Sequence, residues 1–407
     1  MKNSIGIIAE YNPFHNGHAL HLAEARRLAG ENLPAVAVMS GSFVQRGELA
    51  FASKWLRARC AVLCGIDAVF ELPTAFSCRS AEFFACGAVQ LLAATGAIKY
   101  LAFGAETADA DTLMQAAAYI NGSQNKLRDI IQSGSSYAVA QSQLLKDAGI
   151  SFAADQSNDI LALEYCRALQ KYAPDIKPLV IRRCGAGYND TAISQSFASA
   201  SAIRTEYNAN GLTDKILQQL PTQIQQLIKE AGSNGLLGYD QNILNALVLY
   251  RLQMLTPEQI AATCECSEGL EHRLKQLTAA SSLQEIVDAA ATKRYTKSRI
   301  RRLLMQLLLD TNKNFLTQAK PQYLRLLAFN SRGSNLLSQM RTTAKLPIIT
   351  KLGRNFKNCR TGDDARDAKI IRQLQLDTSA ANIAGLLRPN HQNNYNSDFY
   401  NSPHFIR

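Results

Sequence analysis

No apolar run in this 407-residue chain reaches the roughly 18 residues that a membrane-spanning helix needs. The longest, Phe83 to Ile98, is interrupted by Gln90. The opening Met1-Lys2-Asn3-Ser4-Ile5-Gly6-Ile7-Ile8-Ala9-Glu10 is too short an apolar stretch for a signal peptide and reads as a buried strand. Nine cysteines are present, at 60, 64, 78, 86, 166, 184, 264, 266 and 359, yet they form no Cys-x-x-Cys unit and no histidine stands at zinc spacing. Free thiols in a reducing compartment, the cytoplasm, are therefore expected, with no structural metal. There is no internal repeat and no long low-complexity linker. Hydrophobic residues make up 47% and charged residues 19%, which excludes the low-hydrophobicity signature of disorder and gives ample material for two or three cores.

Acidic residues are the scarcer charge. The formal net charge of +11 favours polyanionic partners, nucleic acid first and a membrane surface second, because each neutralised phosphate releases counterions. The excess is concentrated between Lys293 and Arg302, where Lys-Arg-Tyr-Thr-Lys-Ser-Arg-Ile-Arg-Arg carries six basic residues and no acidic one. Lys293, Arg294, Lys297 and Arg299 are candidate RNA contacts, Tyr295 a candidate ring for stacking on an exposed base, and Leu303-Leu304-Met305 a core-facing anchor. A basic helix packing through its aliphatic stems is the blander alternative.

The first half alternates short apolar runs with helical patterns, as parallel βαβ units do. Strands are expected at Ser4 to Ala9, Ala35 to Met39, Ala68 to Leu72, Lys99 to Phe103 and Lys177 to Arg183, with helices between them. The first helix is expected from Ala19 to Ala29, with Leu20, Ala23 and Leu28 on one side. From Leu212 the pattern turns helical, beginning with Asp214 to Gly232 and continuing through Asn242 to Leu255, Pro257 to Thr263, Leu270 to Leu277 and Lys297 to Leu309. The fold class is thus α/β, doubly wound in residues 1–205, followed by a mainly α-helical region over 206–388 and a polar, asparagine-rich tail over 389–407 expected to be loose.

Between the first strand and the first helix stands Glu10-Tyr11-Asn12-Pro13-Phe14-His15-Asn16-Gly17-His18. A strand end leading into a helix N-terminus is where nucleotides bind in open α/β sheets, because unpaired N–H groups and the helix dipole attract phosphate. Gly17 allows close approach, while His15 and His18 could donate to phosphate oxygens as charge builds in an in-line displacement. A bare His-x-Gly-His turn on a surface is the competing reading. A second phosphate-binding segment is Ser199-Ala200-Ser201-Ala202-Ile203-Arg204, where Ser199, Ser201 and Arg204 suit phosphate, or else simply begin an N-capped helix.

The histidine turn resembles those of the nucleotidyltransferase superfamily, which includes adenylyltransferases and class I aminoacyl-tRNA synthetases. Further matches narrow the resemblance: Ala37 to Glu48, Ser53-Lys54-Trp55, Phe103-Gly104, Ser157 to Leu161, Arg183 to Tyr188 and Lys293 to Arg299 look like the tRNA(Met) cytidine acetate ligases. The resemblance covers most of the chain up to about Lys351 and implies a Rossmann-like nucleotidyltransferase domain. It implies that acetate and ATP form acetyl-adenylate and pyrophosphate, and that the acetyl group passes to the wobble cytidine of elongator tRNA(Met) as N4-acetylcytidine.

By the same resemblance His15 and His18 are catalytic, and ATP is contacted by Ile7, Ile8, Ala9, Glu10, Tyr11, Asn12, Pro13, Phe14, His15, Asn16, Gly17, His18, Ala19 and Leu20, with Gly104, Asn158, Arg183 and its neighbour Arg182. On residue chemistry alone Gly104 could permit a turn, Asn158 cap a helix, and Arg183 pair with a surface carboxylate. Gln45, Arg46 and Lys54 are expected near the same sheet edge, facing acetate or phosphates, or else solvent. Mg²⁺ is expected with ATP, held mostly by substrate and water because no carboxylate cage is visible. Three alternatives stay open: an acetyl-CoA-dependent transferase built on Arg182-Arg183-Cys184-Gly185-Ala186-Gly187, a small-molecule adenylyltransferase, and an RNA-binding protein with a degenerate nucleotide site.

Overall fold

The computed structural model describes residues 3–106, 109–150, 152, 157–182, 198–267, 269–391 and 394–407. Its centre is an eight-stranded sheet. The strands, in chain order, are β1 (Ser4–Ala9), β2 (Ala35–Ser40), β3 (Ala68–Leu72), β4 (Ile98–Ala105), β5 (Lys177–Arg182), β6 (Leu324–Asn330), β7 (Ile348–Ile349) and β8 (His404–Ile406). Their spatial order is β8-β6-β3-β2-β1-β4-β5, with β7 beside β6. Every pairing is parallel except β3 with β6, which is antiparallel.

All six residues of β2 are buried, as a central parallel strand covered on both faces requires. Side chains alternate between two cores. Val36, Val38, Phe70, Leu101 and Phe103 face one, with Phe84, Val89 and Leu163 of the covering helices. Ile5, Ile7, Ala35, Ala37, Met39 and Val69 face the other, with Leu22, Trp55 and Val62. The first crossovers run outward from β1 to β3, and the chain then returns to the opposite side of β1 to lay down β4 and β5. That reversal makes the carboxyl ends of β1 and β4 a topological switch point, the usual ligand crevice of such sheets.

Several expectations need correction. The region over 206–388 is helical in large part, but it also supplies β6 and β7 to the sheet, so the second half completes the first half's sheet instead of standing beside it. The asparagine-rich segment is not loose over residues 394–407: it holds a short helix, Ser397–Tyr400, and β8, which pairs with β6. Asp398, only 2% exposed, anchors it, because its carboxylate accepts bonds from Lys54 Nζ at 2.6 Å and Trp55 Nε1 at 3.1 Å. The stretch expected as one helix over 214–232 is two, Asp214–Gln218 and Thr222–Ser233, because Pro221 disfavours helical backbone at Leu220.

Candidate active site

The first helix, α1 (Asn16–Ala29), starts three residues earlier than the apolar spacing predicts, because His15 caps it. His15 Nδ1 accepts the backbone N–H of Gly17 at 3.0 Å, and His18 Nδ1 accepts the backbone N–H of His15 at 3.2 Å. This is a capping box built from two imidazoles. With Nδ1 engaged as an acceptor, the neutral tautomer of each ring carries its proton on Nε2, a hydrogen-bond donor on the far side of the ring. The two rings lie 3.9 Å apart between centroids, and both line the same cavity. Tyr11 and Phe14 hold His18 from the sides, with centroids 5.0 and 5.3 Å from its ring. A Cβ on Gly17 would sit 2.8 Å from His15 Cε1, so only glycine admits this ring packing.

Behind the turn, the buried Arg57 fastens the strand ends. Its guanidinium donates to the carbonyls of Glu10, Ser40, Gly41 and Ala52, and burial pulls its pKa down to about 10. Asn16 fixes the turn from the other side, donating its backbone N–H to Gln219 O at 2.9 Å and its amide to Gln218 O at 3.0 Å.

The turn opens into a cavity of about 1170 Å³ at the switch point. Of the expected ATP contacts, it gathers Ile7, Ile8, Ala9, Glu10, Tyr11, Asn12, His15, Gly17, His18 and Leu20 from the first motif, and Gly104, Asn158 and Arg182 from across the crevice. Pro13, Phe14, Asn16 and Ala19 do not line it: Phe14 is core and Asn16 is a tether. Arg183 lies outside the described residues, as does most of the Arg182-to-Gly187 loop. Ser199 and Arg204 reach the cavity. Ser199 also caps the helix Ala200–Asn210, while Ser201 stands behind it, 3.5 Å from an Arg204 nitrogen. Arg204 donates to Asn12 O at 2.9 Å and to Glu48 at 3.0 Å, which aims its guanidinium along the histidine turn. Glu10 accepts the Gln45 backbone N–H at 2.9 Å; burial raises its carboxyl above the usual range, against the nearby Arg204 and Arg46.

The opposite wall comes from the basic segment. Arg294, Arg299 and Arg302 line the same cavity as the histidines. Arg299 is braced by Glu265 O at 3.0 Å and Ser267 Oγ at 2.9 Å, and Arg302 by the Glu265 carboxylate at 3.2 and 3.3 Å. Lys293 and Lys297 do not reach the cavity; Lys297 pairs with Asp288 at 2.6 Å on an exposed edge. The two walls touch. A Cβ on Gly47 would lie 2.3 Å from the Arg302 backbone nitrogen, and Glu48 stands between Arg204 and Arg301.

Three sequence expectations change here. Lys54 faces neither acetate nor phosphate: it is buried, 2.7 Å from Glu71 and 2.6 Å from Asp398. Tyr295 is buried with its hydroxyl donating to Ser267 O at 3.0 Å, so it cannot stack on a base in this position. Leu20 and Leu28 are not core residues of α1, whose buried side is Leu22 and Ala25; at 46% and 44% exposure they form an apolar lip of the cavity. The aromatic lining of Phe83, Phe84, Phe103 and Tyr165 and the Arg302–Glu265 pair were missed, since nothing local in their sequence distinguishes cavity-facing from core-facing apolar positions.

A doubly wound sheet with imidazole donors at its switch point places the chain among the nucleotidyltransferases, and it matches the HIGH Nucleotidyl Transferase family model over residues 1–398. It is 35% identical to the tRNA(Met) cytidine acetate ligase of Acetivibrio thermocellus over 396 residues, covering 93% of this chain and 94% of that protein. The crystal structure of Thermotoga maritima TmcAL in its apo form I superposes with a TM-score of 0.92 at 31% identity over 100% of both chains. TmcAL from the same organism bound with alpha-thio ATP superposes with 0.90 at 30% identity, again over both whole chains. The chain belongs to the tRNA(Met) cytidine acetate ligase family.

Proposed function

We propose that this protein is an ATP-dependent ligase that converts acetate and ATP to acetyl-adenylate and pyrophosphate, then acetylates N4 of the wobble cytidine of elongator tRNA(Met). The observation that carries this reading is one cavity with the two imidazoles of the histidine turn on one wall and three arginines, two of them braced by Glu265, on the other. Its volume of about 1170 Å³ exceeds the range usual for a single small ligand, roughly 300–1,000 Å³. In the first step an acetate oxygen attacks the α-phosphorus, the bond to the β-phosphate oxygen breaks, and pyrophosphate departs. His15, His18 and Arg204 meet the charge that grows on the departing oxygens. In the second step the cytidine N4 attacks the acetyl carbonyl, the bond to AMP oxygen breaks, and N4 loses a proton.

Gly104, Asn158, Arg182 and Arg183 complete the ATP site in this reading, and residues 206–388 form the region that receives tRNA. Arg294 and Arg299, which line the cavity, are assigned in this reading to an RNA phosphate beside the target base, and Lys293 and Lys297, which do not line it, to tRNA contacts outside it. Among the described residues there is no group of three or more His, Cys, Asp or Glu side chains able to hold a metal ion. Mg²⁺ would therefore arrive on the ATP phosphates, supplying charge neutralisation there. No described helix is long and apolar enough to cross a membrane, and the cytoplasm, where tRNA and ATP meet, is the proposed location.

The test is purified protein with ATP, Mg²⁺, labelled acetate and bulk tRNA, followed by nucleoside analysis, with acetyl-CoA replacing acetate and ATP in parallel. N4-acetylcytidine that requires acetate and ATP supports the proposal. Product formed only from acetyl-CoA, or adenylate formed on a small molecule with no tRNA product, overturns it.

A further inference from the structure

Resting on the reading of the arginine wall as the RNA side of the cavity, we infer that Phe83, backed by the guanidinium of Arg79, is the platform on which the unpaired target pyrimidine of the RNA stacks. Phe83 is the third residue of the helix Ala81–Ala94 and is 36% exposed, while its neighbour Phe84 is buried in the core. Both line the cavity. Their helix covers the sheet face formed by Val36, Val38 and Leu101, whereas α1 packs on the face formed by Ile5, Ala37 and Met39. Phe83 and the imidazoles therefore enter one cavity from opposite faces of the sheet.

The ring differs from a stray apolar side chain on a surface. Arg79 lies over one of its faces, with Cζ 3.9 Å from the ring centroid. Arg79 is almost wholly buried: its Nη1 donates to Leu316 O at 2.9 Å, and its Nε and Nη2 have no hydrogen-bond partner among the described residues. Burying a guanidinium with N–H groups unpaired is costly, and the negative face of the Phe83 ring offsets part of that cost. The cation fixes the plane of the ring and occupies one face, so the exposed surface belongs to the other face and the edge. A base stacking there meets a ring that is already ordered, with little side-chain freedom left to lose.

The surroundings of the ring are those of the arginine wall. Gln306, on the helix Lys297–Leu308 that carries Arg299 and Arg302, donates to Cys78 O at 3.1 Å, one residue ahead of Arg79. Arg79 itself lies in the field of Arg302 and Glu265. Arginines beside an exposed aromatic ring are the two components of single-strand recognition, the charges holding the backbone and the ring taking the base. Tyr295, the ring that composition suggests for this task, is buried, whereas Phe83 is open to the same cavity. A volume of about 1170 Å³ leaves room for that base beside a bound nucleotide. The adenine of ATP is the other base that could reach the ring, and the experiment separates the two.

Two changes are combined and read by tRNA binding at fixed salt: F83L in the full-length protein, and removal of the wobble base from elongator tRNA(Met) to leave an abasic sugar. Leucine keeps the apolar bulk but has no π face, and F83Y restores one. Removing the base should weaken binding to the wild type and to F83Y by about fivefold to a hundredfold, as one stacked base provides, and should change binding to F83L by about twofold or less. F83L should also acetylate intact tRNA with a raised KM for tRNA, while its KM for ATP in acetate-dependent pyrophosphate exchange stays near that of the wild type. Three results overturn the inference: base removal that costs the wild type and F83L equally, an F83Y variant that behaves as F83L does, or an F83L variant whose KM for ATP rises instead, which would give the ring to adenine. A wild type that shows the expected base dependence but forms no acetylcytidine would count against the ligase reading alone, and one that binds no tRNA would remove both.

Discussion

Replacing His18 separates its two jobs. Its Nδ1 accepts the His15 N–H as the third residue of the capping box, and its Nε2 is the donor that the proposed mechanism assigns to phosphate. His18→Ala removes both. The lost cap bond should lower stability by about 1 kcal/mol, as loss of an N-terminal side-chain cap does. Loss of one preorganised donor to a developing charge costs about 3 kcal/mol or more, a rate decrease of about a hundredfold or greater. His18→Gln keeps an acceptor at the position where glutamine completes a capping box, so stability should return to within about 0.5 kcal/mol of wild type. The imidazole donor stays lost, so activity should not return. The assay is acetate-dependent exchange of labelled pyrophosphate into ATP, which reads the first step alone, paired with urea unfolding of each variant. If His18→Ala retained wild-type exchange, or if exchange in both variants merely tracked their stability, the assignment of Nε2 to transition-state charge would be wrong.

Removing positive charge from the second wall should act on tRNA and not on ATP. R294A should weaken tRNA binding and reduce the slope of log affinity against log salt by about 1, whereas K297A, whose charge is already committed to Asp288, should change both less; filter binding over a salt series checks this. Around Lys54 and Arg325, the three buried carboxylates Glu71, Asp377 and Asp398 leave one negative charge in excess, and burial pushes Glu71 from the ordinary 4.5 up to about 8, with Lys54 opposing. The native state therefore holds a proton that the unfolded chain has released, so stability falls as pH rises from about 4.5 to about 8. E71Q should flatten that dependence, measured as urea midpoints across the window; an unchanged slope would place the proton elsewhere.

How far the sequence could be read follows from where each element finds its partners. The strands β1 to β5 are contiguous apolar runs separated by amphipathic helices, so length and spacing alone identify them and their parallel order. The run Leu324-Arg325-Leu326-Leu327-Ala328-Phe329 of β6 sits in a leucine-rich region and contains a wholly buried arginine, so no periodicity separates strand from helix there. β8 is three residues long and is a strand only because β6 offers it an edge. The same limit applies to single residues. His15, Gly17 and His18 are neighbours in sequence, so their site was legible. Lys54 meets Glu71 and Asp398 across 17 and 344 positions, and nothing near Lys54 announces that it will be buried. Tyr295 is a base-stacking candidate by composition and a core residue by the accident of Ser267 lying beneath it.

The contact between the two walls bears on how an acyl-adenylate could be handled. Such an intermediate is a mixed anhydride that water hydrolyses, so it must be shielded until the cytidine amine arrives. In many enzymes a lid closes to provide that shield. Here Gly47 already lies against the backbone of Arg301 and Arg302, Glu48 stands between Arg204 and Arg301, and Gln45 of the same hairpin is bonded to Glu10 at the mouth of the histidine turn. The residues that would meet ATP and those that would meet RNA are therefore joined through one short hairpin, Phe43–Val44 with Glu48–Leu49. A tRNA settling on the arginine wall would cover the cavity itself. With the walls already in contact, a tRNA bound before the adenylate forms would shield it without a separate closing motion.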